Sequence, residues 1–122
     1  MKKEILISCL SLLSANSYAA KNDAAELAVK FQHTVNQGNY AEAIRYWEPS
    51  KQDKMSLNGG KLIGTLFSGI SLQKDTLDTR CSNESCMVSA QYTDDSGKTR
   101  KITYTFVMDG NLFLSNIQTT GS

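Results

Sequence analysis

Histidine, tryptophan and proline each occur once in these 122 residues, and no apolar run approaches the roughly 20 residues needed to cross a bilayer. With His33 as the only imidazole, a zinc site would lack ligands, so no metal is expected. Charge of one sign is also missing: 13 basic residues face 12 acidic ones with no Lys/Arg block. The chain therefore lacks the electrostatic footprint of a nucleic-acid or anionic-lipid binder. The triplet Gly59-Gly60-Lys61 has neither the four-residue glycine spacing nor the Ser/Thr of a phosphate loop, which excludes that mode of nucleotide binding. No cofactor is implied.

What is present begins with an export signal. Lys2 and Lys3 precede an apolar stretch from Ile5 to Leu13, and Ser17-Tyr18-Ala19 offers small residues at the positions a signal peptidase reads. Residues 1–19 are expected to be a signal peptide cut between Ala19 and Ala20, which leaves residues 20–122 as one domain in the periplasm or outside the cell. A lipidation box ending at Cys9 would leave too short an apolar stretch before the modified cysteine. Cleavage removes Lys2, Lys3 and Glu4, so 11 residues of each sign remain. It also removes Cys9, and the even pair left, Cys81 and Cys86, is expected to form a structural disulfide. The turn-forming Ser82-Asn83-Glu84-Ser85 between them would make the bridge a clamp on a hairpin.

Periodicity supplies the layout. Ala24, Leu27, Ala28, Phe31 and Val35 form one stripe of a helix from Asn22 to Gly38, with Asn22 or Asp23 as its cap and His33 facing solvent. A second helix is expected from an Asn39 cap, with Tyr40, Ala43, Ile44 and Trp47 on one face before Pro49 ends it. Residues 50–58 read as irregular or loosely helical. Leu62, Ile63, Leu66, Phe67 and Ile70 return to helical spacing, with Gly64 and Gly69 leaving room for a close approach.

From residue 71 the period becomes two. Strands are expected over residues 71–80, 86–93, 98–108 and 111–119, separated by Ser82–Ser85, Asp94–Gly97 and Asp109-Gly110 turns. The inward set is Cys86, Val88, Ala90 and Tyr92 on the second strand and Ile102, Tyr104, Phe106 and Met108 on the third. Two or three helices followed by four strands predict an α+β domain, the helices packed on a curved antiparallel meander.

The run Leu27-x3-Phe31, then Gly38-Asn39-Tyr40-x2-Ala43-Ile44-x2-Trp47, resembles the first two helices of small exported bacterial members of the nuclear transport factor 2-like superfamily. The resemblance implies a cone of helices over a bent sheet with a pocket at its open end. Members include isomerases and dehydratases, ligand-binding domains and non-catalytic assembly domains, so fold alone does not choose among them.

Three functions follow. An isomerase- or dehydratase-like enzyme would draw on Tyr92, Tyr104 and Asp78, but no inward carboxylate accompanies them on the third strand and His33 faces out. A pocket for a small apolar ligand would be lined by Leu66, Phe67, Tyr92, Tyr104, Phe106 and Met108. A non-catalytic interaction module of the bacterial envelope needs no such constellation. It would bind another envelope protein or itself through the outer sheet face (Lys101, Thr103, Thr105) or an edge strand, without inserting in a membrane. This third reading leads.

Overall fold

The computed structural model describes the backbone of residues 4–121 and the side chains of residues 20–120. The expected signal segment, residues 1–19, therefore lies outside the described side chains. Helix α1 spans Glu4–Asn36 and passes through Asn22 and Asp23, which are interior positions and not caps. The physical reason is local: no proline or glycine occurs before Gly38, so nothing breaks the helix earlier. It ends in a Schellman motif, with Gly38 at φ 78°, Gly38 N–H on the Val35 carbonyl and Asn39 N–H on the Thr34 carbonyl.

Helix α2, Tyr40–Ile44, is capped by Asn39, whose side chain accepts from the Glu42 N–H. It stops five residues before Pro49. Trp47 leaves the helical path to form a parallel bridge with Leu114, and Glu48 N–H and Tyr46 C=O bond to the Leu114 backbone on either side. Burying Trp47 against the sheet outweighs one more helical turn. Pro49 does not end a helix but opens one: α3, Pro49–Met55, begins with it, where its missing N–H costs nothing. A 3-10 turn, Leu57–Gly60, leads into α4, Lys61–Phe67.

Strands β1 (Leu72–Cys81), β2 (Ser85–Thr93), β3 (Thr99–Asp109) and β4 (Asn111–Gly121) form one antiparallel sheet in the order β1-β2-β3-β4. The expected α+β meander is thus the observed one, with α1 lying across β1 and β2. Between Gln73 and Asp78, five steps along β1 match two along β2 (Gln91 to Ser89), a large bulge. The Thr76 hydroxyl bridges it, accepting from Gln91 N–H and donating to the Gln73 carbonyl. Ser115 forms a smaller bulge in β4.

One core lies between helices and sheet. From α1 come Ala24, Ala28, Phe31 and Val35; from β2 and β3 come Cys86, Val88, Ala90, Tyr92, Ile102, Tyr104 and Phe106. Alanines at 24 and 28 let α1 approach the sheet closely, and Phe31 then fills the space beyond. Trp47 and Leu114 close the core beside β4.

The β2–β3 turn is held by the Asp94 carboxylate, which accepts from Ser96 N–H, Ser96 Oγ, Lys98 N–H and Arg100 Nε. The Arg100 hydrogen bond, then that of Ser96, holds the Asp94 carboxyl well below the usual carboxylate range. A depressed value means that the clamp's stabilisation is complete above the unfolded value near ~3.9 and fades as pH falls toward the folded one. In an NMR titration Asp94 is expected to stay ionised at about pH 3. A midpoint near ~4 would contradict the clamp.

Candidate functional site

The helices cover one face of the sheet, and the core packs there. There Phe31 is the hub of an aromatic cluster, edge-on to Tyr46 (5.6 Å between centroids), Trp47 (6.2 Å) and Tyr104 (6.2 Å). Interplanar angles of 69°, 78° and 76° are the T-shaped geometry that ring quadrupoles favour. Tyr104 and Phe106 have no exposed surface.

Among the described residues, the polar side chain buried in this layer is that of Gln32, at 2% exposure. Its Oε1 accepts from the Tyr104 hydroxyl (2.8 Å), and its Nε2 donates to the Phe67 carbonyl (2.6 Å) and to Asn36 Oδ1 (2.9 Å). Asn36 in turn donates to the Ile70 carbonyl and accepts from Gly69 N–H. The end of α1 is thereby fastened to the segment joining α4 to β1, where backbone groups leave the helix ladder before the sheet ladder takes them up. Burial, with a smaller contribution from Tyr92, pushes the Tyr104 phenol far above its ordinary range. It remains a donor to Gln32 and is not positioned as a base.

Local periodicity does not distinguish Gln32, which neighbours Phe31 at the margin of the apolar stripe. The available signal was the Gln32/Asn36 pair, one helical turn apart and adjoining that stripe. Tyr104→Phe would leave Gln32 Oε1 buried without a donor, and is expected to cost about 1–2 kcal/mol in urea unfolding. An unchanged midpoint would rule the network out as a stabilising element.

The six residues expected to line a pocket are not gathered round one cavity. Phe67, Tyr92, Tyr104 and Phe106 are core residues, whereas Leu66 is 55% exposed and Met108 47% exposed. Leu66 lies with Leu62 on the outward side of α4, because Ile63 and Phe67 take the inward one. Met108 stands at the end of β3, where its N–H bonds to Glu84 and it borders an open cleft. Asp78 is exposed and pairs with Arg80 (3.2 Å), whereas Tyr104 is buried and donates to Gln32, and His33 is exposed as expected.

Cys81 and Cys86 face each other across β1 and β2, with sulfurs 2.00 Å apart, so the expected bridge clamps the first hairpin. The cleft of about 740 Å³ lies beside it, bordered by Asp23 and Glu26 of α1, by Asn83, and by Met108, Asn111 and Leu112. Among the described residues no group of three His, Cys, Asp or Glu side chains is placed to hold a metal ion.

The sheet's two edges differ in chemistry. β1 carries Lys74, Asp75, Asp78 and Arg80 and is bulged. β4 carries no charge from Asn111 to Gly121. The Trp47 segment and Lys51, whose ammonium donates to the Ser115 carbonyl, cover β4 up to its bulge. Beyond it Asn116, Gln118, Thr119 and Thr120 are exposed, and no strand among the described residues pairs with their outer side.

No described helix is long and apolar enough to cross a membrane. The chain matches no protein-family model, no curated protein and no solved structure.

Proposed function

We propose that the chain is an exported, non-catalytic protein-interaction module of the bacterial envelope, built on a nuclear transport factor 2-like plan. The observation that carries this reading is the packed layer between helices and sheet, which Phe31, Tyr104 and Phe106, all fully buried, fill. With that layer filled, recognition falls to the surface, and β4 offers backbone that no strand among the described residues pairs, next to side chains that bear no charge. The cysteine bridge and the amino-terminal signal fit an oxidising compartment.

Immobilised protein is expected to retain a discrete protein from an envelope extract, its own chain included. Recovery of nothing counts against the reading. Its export component is tested by intact mass: the periplasmic product should lack residues 1–19 and be two hydrogens lighter than its reduced form. Retention of the segment, or two thiols alkylated without reductant, would sink that component.

A further inference from the structure

We propose that the free part of β4, Asn116–Thr120, is the contact through which two copies of this chain pair, edge to edge and antiparallel, with Gln118 on the two-fold axis. This deepens the interaction reading and rests on it.

The first argument is the contrast between the edges. Exposed edge strands template unwanted pairing, and proteins guard them with charged side chains and bulges. β1 has both safeguards: four charged residues and a bulge that absorbs its register against β2. β4 is covered only as far as Ser115, by the Leu114 bridge and Lys51. The remaining residues run in unbroken register with β3, from Thr105 opposite Asn116 to Arg100 opposite Gly121. This leaves an uncharged strand segment in regular register whose outer side has no partner among the described residues.

The second argument is self-complementarity. With Gln118 on the axis, Asn116 meets Thr120 of the other copy, Ile117 meets Thr119, and Gln118 meets itself. Each pair lies on one face, because side chains alternate along a strand. Ile117 and Thr119 are β-branched residues that share the face of Tyr104 and Ile102, their neighbours on β3. Asn116, Gln118 and Thr120 supply amide and hydroxyl groups that bond to one another on the opposite face. No pair sets like charges against each other, which would be destabilising. An isologous contact of this kind also closes at two copies and does not propagate into a fibre.

Five residues a side bury less than the roughly 800 Å² per partner of a standard stable complex, so association is expected at tens of micromolar and above. Sedimentation equilibrium of the purified protein should show the average mass rising toward twice the protomer's between about 10 μM and 1 mM. Gln118→Lys and Gln118→Glu each place like charges on the axis, and each is expected to weaken association at least tenfold. An equimolar mixture of the two should recover it. Gln118 is exposed, and unchanged melting temperatures of both variants would establish that they fold.

A wild type that stays monomeric throughout, association indifferent to both substitutions, or a mixture that fails to associate would each overturn the proposal. A monomeric wild type that retains a different envelope protein, lost with Gln118→Lys, overturns self-pairing and leaves the interaction reading standing. Absence of both self-association and retention removes the two together.

Discussion

Replacing Phe31 by alanine is expected to lower the stability of the folded chain by about 4 kcal/mol, within the range for truncating a fully buried phenylalanine. Phe31 has no exposed surface and meets three rings edge-on, on α1's neighbour Tyr46, on the bridged Trp47 and on Tyr104 of β3. Truncation removes all three contacts at once and opens a cavity. The surroundings collapse poorly, since Trp47 is tied to β4 through the Leu114 backbone and Tyr104 to Gln32. Small domains have roughly 5–15 kcal/mol in all, so the variant should melt about 20 °C lower. Phe31→Leu, which refills most of the volume, should lose about half as much or less. Equal losses for the two, measured by urea unfolding, would contradict the cavity account, since leucine restores most of the bulk.

The second large effect is expected at Gly60. Gly60 has φ 84°, and a β-carbon built there would lie 2.7 Å from Tyr40 Cβ and 3.5 Å from Ile44 Cδ1. A left-handed conformation costs a non-glycine residue roughly 1–2 kcal/mol, and overpacking adds about 1–3. Gly60→Ala should therefore lose about 2–5 kcal/mol, chiefly because a Cβ fixed to the α2 backbone has no rotamer by which to move aside. Two comparisons separate the contributions. Gly59 has φ 69° with nothing within 4 Å of its built Cβ, so Gly59→Ala should show the backbone cost alone. At Gly64 the obstacle is the far end of the Tyr40 ring, 2.6 Å away, which Tyr40→Ala removes. That second change should rescue Gly64→Ala and leave Gly60→Ala unrescued, since alanine keeps the Cβ. Rescue of both, or a loss at Gly59 equal to that at Gly60, would refute the packing account.

These glycines illustrate where local reading stops. Gly64 and Gly69 announced a close approach; at Gly69 a built Cβ meets nothing within 4 Å, and what approaches Gly64, and also Gly60, is Tyr40, from a helix about 20 residues earlier. Nothing in the local pattern names so distant a partner. The same limit separates Leu66 from Phe67. Both fit the helical period, yet α4 offers one face to the core, and only the placement of α1 and the sheet decides which. Met108 continues the inward alternation of β3 but lies at the strand's end, beside the open cleft.

Several features needed no partner to be recognised, since their causes lie within a few residues. The change of period from 3.6 to 2 near residue 70 marks the passage from helices to sheet, and the three turns follow from Ser, Asp, Asn and Gly in short runs. The cysteine pair across Ser82–Ser85 is equally local, because the hairpin brings the two residues into register. Periodicity, turn chemistry and cysteine parity thus determined the α+β order, the four strands and the bridge. Tertiary structure alone decided three things: that Phe31, Tyr104 and Phe106 fill the layer between α1 and the sheet, that Gln32 is buried as the fastening of α1, and that no strand among the described residues pairs with β4 beyond Ser115. Each depends on which distant elements come to lie side by side, and sequence periodicity carries only the face a residue takes, not what meets it there.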